Sequence, residues 1–166
     1  MILSVLFWGC LVVLFYTYAG YALLLWLFVE VKKLLAQPEN SPESKDYEPE
    51  ICLFVTAFNE KDYVDQKVKN AFALDYPKEK IQYVWVTDGS DDGTPEMLKQ
   101  IERLEVYHQP QRRGKTHAIN RGMKFVKAPI VIFSDSNTVL GKQSIREIVK
   151  CFNIPKVGCV AGEKRI

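Results

Sequence analysis

Val86-Thr87-Asp88-Gly89-Ser90-Asp91-Asp92-Gly93-Thr94 closes an apolar run and marks the passage from a strand into a helix. Residues 81–86 read as a buried strand that delivers a carboxylate, Asp88, to its carboxyl end. Glycines then turn the chain. Thr94 as N-cap and Pro95 at the first helical position open a helix with Met97, Ile101 and Leu104 on its apolar face. In open α/β sheets, ligands bind in the crevice beyond the strand carboxyl ends. A carboxylate fixed there accepts a hydrogen bond from a base or ribose, or helps to hold a divalent ion.

The same arrangement recurs on both sides. Residues 51–56 are apolar and β-branched, fit for a strand buried on both faces, and lead into Thr56-Ala57-Phe58-Asn59-Glu60. Val64, Val68, Ala71 and Phe72 mark a helical face. Residues 105–108 read as a short third strand. Ala118, Ile119, Gly122, Met123 and Val126 mark a third helix. Residues 129–133 form a strongly apolar fourth strand that ends in Ser134-Asp135-Ser136-Asn137-Thr138. Residues 144–152 read as a helix and 157–161 as a fifth strand. Alternating strands and helices imply an α/β fold with a mostly parallel, Rossmann-like sheet and right-handed crossovers. If the fourth strand returns beside the first, the ends of the first, second and fourth strands share one crevice.

The chain has 166 residues and a net charge of +2, which leaves no basic stripe for nucleic acid. Cys10, Cys52, Cys151 and Cys159 form no metal-binding pair and read as small buried hydrophobes in a reducing compartment. Residues 1–33 read as a transmembrane anchor. No charged side chain precedes Glu30, and the apolar stretch exceeds the roughly 20 residues that span a bilayer. The start lacks the positive charge of a signal peptide. Lys32 and Lys33 follow the span, which places the globular part in the cytoplasm, on the inner face of the plasma membrane. Residues 34–49, with Pro38, Pro42 and Pro49, read as a linker, and 50–166 as the globular domain.

Each motif has a plainer reading. Asn59 and Glu60 suit a ribose or base edge and equally a turn that starts a helix. Asp91 and Asp92 read as solvated turn residues. A calcium loop at Asp88 fails because its closing position holds Lys99 instead of Glu. In Arg112-Arg113-Gly114-Lys115-Thr116 the earlier glycine of a P-loop is replaced by Gln109. Basic groups beside a helix N-terminus still suit a diphosphate, as they suit a solvated turn. His108 and His117 have no evident partners. Asp135 and Asn137 offer two oxygens that suit Mg²⁺ or Mn²⁺, or simply a strand-ending turn.

With these motifs in this order, the chain resembles the family 2 glycosyltransferases, inverting enzymes of the GT-A fold. The likeness rests on Thr56-Ala57-Phe58-Asn59-Glu60, on the Asp88 stretch, on residues 113–122, and on Asp135-Ser136-Asn137 at the family's D-x-D position. Tyr16-Thr17-Tyr18-Ala19-Gly20-Tyr21 also looks like the anchor of membrane-bound members related to cellulose and hyaluronan synthases. The resemblance implies a nucleotide-sugar site at Thr56, Asn59, Glu60, Asp88, Lys115 and Asp135. Glu60 and Asp88 would hold the uracil and ribose of a UDP-sugar, and Lys115 would lie near the nucleotide or its phosphates. Asp135 would contact the ribose or sugar side, and with Asn137 it would face Mg²⁺ or Mn²⁺. Asn137 replaces the last D-x-D carboxylate and brings no charge.

The function implied is transfer of a hexosyl group from a UDP-sugar to an acceptor hydroxyl on a carbohydrate or lipid-linked chain at the membrane. The family's general base lies later than Ile166, so the chain reads as the anchor plus the donor-binding half. A sugar nucleotidyltransferase would need a glycine-rich loop after the first strand, which is absent at residues 56–60. A non-catalytic membrane protein that binds nucleotide or a partner remains the alternative.

Overall fold

The computed structural model describes residues 1–35 and 47–163. The chain divides into two compact units, Met1–Asn40 and Ser41–Ile166. In the first, helix α1 (Ile2–Phe15) continues through a π-helical turn (Tyr16–Gly20) into α2 (Tyr21–Leu35). Thr17 Oγ1 donates 2.7 Å to the Val13 carbonyl within this region, a side-chain bond of the kind that perturbs helices. The span Ile2–Leu34 is long and apolar enough to cross a membrane. Its large side chains, Trp8 and Trp26 among them, are exposed. Glu30, the first charged side chain, pairs with Lys33 at 2.8 Å near the span's end.

The second unit is a four-stranded parallel sheet. Its strands are β1 (Ile51–Ala57), β2 (Ile81–Asp88), β3 (Leu104–Gln109) and β4 (Ile130–Asp135). Between them run α3 (Lys61–Phe72), α4 (Thr94–Lys99) and α5 (Lys115–Gly122), and α6 (Ser144–Phe152) follows β4. The order is β3-β2-β1-β4, so the fourth strand does return beside the first. Ala57 pairs with Thr87, and Thr56 with Asp135. This register brings the carboxyl ends of β1, β2 and β4 level.

Strand alternation splits the core into two layers. Ile51, Leu53 and Val55 of β1 pack with Tyr83 and Trp85 against Val64 and Val68 of α3, Leu98 of α4, and Ile145 and Val149 of α6. Cys52 and Phe54 pack with Val84 and Val86 against Ala118 of α5. Each fully buried aliphatic or aromatic side chain contributes roughly 1.5–3 kcal/mol. The α5 layer is thinner, and Phe133 at the β4 edge stays 54% exposed, its ring 5.3 Å from that of Phe54.

Several expectations are corrected. Residues 157–161 form no strand, because no described strand pairs with them. Only Cys52 is buried: Cys10 and Cys159 are exposed and Cys151 is half-buried. Gly93, at φ +92°, takes the N-cap position of α4 in place of Thr94, which is the first helical residue, and Asp92 Oδ1 accepts from Thr94 N at 3.0 Å. Residues 36–46 of the expected linker lie outside the described residues. Its end is tied down, with Glu48 accepting from Arg146 at 2.6 Å and the Pro49 carbonyl accepting from Tyr76 Oη at 2.6 Å.

Gly122 fixes how closely α5 sits on the sheet. A Cβ there would lie 2.4 Å from Phe54 Cζ and 2.5 Å from Val86 Cγ2. Gly122→Ala should lower stability by about 1–3 kcal/mol through overpacking. Urea unfolding checks this, and an unchanged midpoint would contradict it.

Candidate functional site

Asp88 is the last residue of β2 and is 5% exposed. Its Oδ2 accepts from the backbone N–H of Arg113 at 2.8 Å and of Gly114 at 2.7 Å. The β3–α5 loop is thereby drawn over the end of β2. Gly89 allows the approach: its φ is +74°, and a Cβ there would meet Arg112 Cβ at 2.6 Å and Arg112 N at 2.8 Å. Gly89 N–H donates 2.8 Å to the Gln109 carbonyl, closing the turn against β3. Asp88 Oδ1 is also buried and, among the described residues, has no hydrogen-bond partner. Buried polar atoms are nearly always satisfied, so an unpartnered carboxylate oxygen points to a ligand with an N–H or O–H to give.

Above it lies a cleft of about 310 Å³, lined by Thr56, Phe58, Glu60, Asp88, Arg112, Lys115, Asp135 and Asn137, among others. The structure therefore brings together Thr56, Glu60, Asp88, Lys115, Asp135 and Asn137. Asn59 does not line the cleft. At φ +51° it turns back, its Nδ2 donating 2.9 Å to Asp91 Oδ1 and its Oδ1 accepting from Asp91 N at 3.1 Å.

The acidic turn is solvated at Asp91, as expected, and it also serves as a bracket. Asp92 Oδ2 accepts from Lys61 N at 3.0 Å, and Thr94 Oγ1 accepts from Glu60 N at 3.1 Å. Together they bind the start of α3 to the start of α4. Glu60, at the N-terminus of α3, has its carboxyl raised above the usual range, by partial burial first and then by the negative charges of Asp135 and Asp92. Lys115 Nζ stands 2.5 Å from Asp135 Oδ1. Both side chains are at least half exposed, so the pair adds little stability. It does put a cation at the mouth of the cleft.

The metal donors of this chain are few. Among the described residues no three of His, Cys, Asp and Glu gather as a metal group. Asp135 offers a carboxylate and Asn137 an amide oxygen, both lining the cleft. That set fits Mg²⁺ or Mn²⁺ taking its other ligands from phosphate oxygens and water, and does not fit an all-protein cage.

Three site features escaped the sequence reading. The Arg112 guanidinium lies 3.8 Å over the Phe58 ring, forming one wall of the cleft. The signal was an apolar Phe58, 37% exposed, placed in a polar strand-end motif. His108 does have a partner, its Nδ1 lying 2.9 Å from Thr87 Oγ1. Lys67 of α3 is 1% exposed, its Nζ donating to Ser134 Oγ at 2.6 Å and to the Thr138 carbonyl at 2.7 Å. Its place within the stripe of Val64, Val68 and Ala71 was the available sign. Burial pushes the Lys67 amine down to about 8, against the upward pull of Asp135.

The family model described as Glycosyl transferase family 2 matches residues 52–165. Poly-beta-1,6-N-acetyl-D-glucosamine synthase of Staphylococcus aureus strain MSSA476 is 29% identical over 120 residues, covering 70% of this chain and 29% of that protein. The protein of the same name from Staphylococcus epidermidis is 29% identical over 125 residues, with the same coverage of 70% and 29%. The chain thus spans less than a third of the length of these curated relatives. Among solved structures, the mannosyltransferase PcManGT from Pyrobaculum calidifontis, in complex with GDP-Man and Mn²⁺, superposes with a TM-score of 0.77 at 28% identity, covering 90% of this chain and 45% of that one. S. aureus TarS 1–349, in complex with UDP-GlcNAc, gives a TM-score of 0.56 at 22% identity over 59% of this chain and 29% of that one, a likeness of fold.

The buried lysine gives a pH signature. Its folded-state value, about 8, lies below the ordinary 10.5, so the folded chain sheds the proton first. The cost of burying the charge is full below about pH 8 and disappears as pH rises toward 10.5. Wild type should gain stability relative to Lys67→Met across that window, with a limiting slope of about 1.4 kcal/mol per pH unit. Urea unfolding of both proteins checks this, and a constant difference would contradict it.

Proposed function

This chain belongs to glycosyl transferase family 2, and from that premise we propose that its cleft holds the nucleoside diphosphate of a UDP-sugar for transfer to an acceptor hydroxyl. The observation that carries the reading is the buried, unpartnered Oδ1 of Asp88, set into a cleft with Lys115 and Asp135 on its other side. Uracil presents a ring N–H to such an acceptor. Glu60, kept partly desolvated, takes a ribose hydroxyl. The Arg112–Phe58 pair walls the base side.

Lys115 adds positive charge where the diphosphate lies, and the N-terminus of α5 favours the same anion. Asp135 and Asn137 would hold a divalent ion, which when bound neutralises charge on the departing diphosphate. The PcManGT complex with Mn²⁺ and GDP-Man supports a metal-assisted donor site of this kind. The relatives' names make N-acetylglucosamine the first sugar to test, with a growing carbohydrate or lipid-linked chain as acceptor.

The acceptor hydroxyl attacks the anomeric carbon with inversion as the nucleoside diphosphate leaves. A base must take the hydroxyl proton. We assign that base to the portion of the relatives' length that this chain does not cover, and the donor-binding role to residues 50–166. Residues 1–33 serve as the bilayer anchor, 34–49 as linker and 50–166 as the transferase domain. Lys32 and Lys33 keep the domain on the cytoplasmic side of the plasma membrane.

Calorimetric titration of the detergent-solubilised chain tests the donor site. UDP should bind in the presence of Mn²⁺ and more tightly than GDP. Asp88→Asn leaves one acceptor oxygen for two tasks and should weaken UDP by about tenfold or more. Equal affinity in wild type and Asp88→Asn would overturn the assignment.

A further inference from the structure

Lys67 is a buried charge that the donor chemistry leaves unused. Its neighbours on α3, Val64 and Val68, belong to the apolar core, so the layer accepts apolar side chains around it. Among the described residues it forms no ion pair, so no carboxylate in contact offsets the cost of burying its ammonium. What it does is bind two ends of one loop. Ser134 Oγ and the Thr138 carbonyl, 2.6 Å and 2.7 Å from Nζ, flank Asp135-Ser136-Asn137. The loop also closes on itself: Ser134 Oγ and Thr138 Oγ1 lie 3.1 Å apart, and Thr138 Oγ1 donates 2.9 Å to the Asp135 carbonyl. Lys67 pins this closed loop to α3 from behind, while Asp135 and Asn137 line the cleft in front.

We propose that Lys67 is a positioning residue for the divalent cation, fixing the Asp135–Asn137 loop so that carboxylate and amide oxygens meet one ion together. The inference rests on the donor-site reading given above. A pair with only one charge has little affinity to spare. Its oxygens must be held in place before the ion and diphosphate arrive, because an octahedral ion tolerates little misplacement.

The sign of the effect separates positioning from charge. Removing a positive charge behind a cation site favours the cation by itself. Loss of positioning disfavours it. Only the second predicts that an apolar substitution weakens the metal's contribution.

The test is titration of the full 166-residue chain, in detergent, with UDP in the absence and presence of Mn²⁺. The quantity read is the ratio of the two dissociation constants, for wild type, Lys67→Met and Ser134→Ala. The wild-type ratio should be well above one. Lys67→Met should reduce it by about tenfold, within the range seen for groups that orient metal ligands, while metal-free UDP affinity stays near the wild-type value. Ser134→Ala, which keeps the lysine but removes one of its anchors, should reduce it less. A Lys67→Met ratio equal to or above wild type overturns the inference and leaves the donor reading standing. A wild-type UDP affinity indifferent to Mn²⁺ overturns the inference together with the metal assignment and leaves the nucleotide site at Asp88 standing, whereas no UDP binding in either condition overturns the donor reading itself. If Lys67→Met fails to fold, Ser134→Ala decides: a reduced ratio supports the inference, and an unchanged ratio overturns it.

Discussion

One carboxylate, Asp88, organises the functional end of this sheet. Its Oδ2 takes two backbone N–H groups from the β3–α5 loop, and its Oδ1 is left buried and free. The first contact places Arg112, Gly114 and Lys115 over the cleft. The second leaves an acceptor waiting inside it. Neither works without Gly89, whose missing Cβ gives the loop room to close. A buried carboxylate used once for structure and once for recognition ties the fold to the ligand.

The parallel register does the rest. With Thr56 opposite both Val86 and Asp135, side chains far apart in sequence meet at one edge. The charges that line the cleft are close to balanced, with Glu60, Asp88 and Asp135 set against Arg112 and Lys115. Asp135 is already paired with Lys115, so an arriving diphosphate and its cation would exchange partners with this pair instead of entering an open acidic trap. That view fits a site whose protein donors are one carboxylate and one amide.

Much of this was legible in the sequence because strand periodicity is a strong signal. The apolar runs at β1, β2 and β4, each ending in polar oxygen-bearing residues, located the strands and their chemistry-bearing ends, while the shared crevice was conditional on β4 pairing with β1, as it does. Residues 157–161 misled because apolar content alone does not make a strand; a neighbouring edge must pair with it. Asn59, Asp91 and Asp92 were legible as turn formers, but their mutual hydrogen bonds depend on α3 and α4 starting side by side. Lys67 was hidden for a similar reason. Its partners lie 67 and 71 residues away, and the only local hint was a charge in an apolar stripe.

Everything proposed for the cleft turns on the free oxygen of Asp88 receiving the nucleotide base. A crystal structure of the chain with UDP and Mn²⁺ tests this most directly. The uracil ring N–H should lie within hydrogen-bond distance of Asp88 Oδ1, with the loop contacts of Oδ2 kept and the ion beside Asp135. A uracil seated elsewhere, with Oδ1 turned to a protein partner, would contradict it.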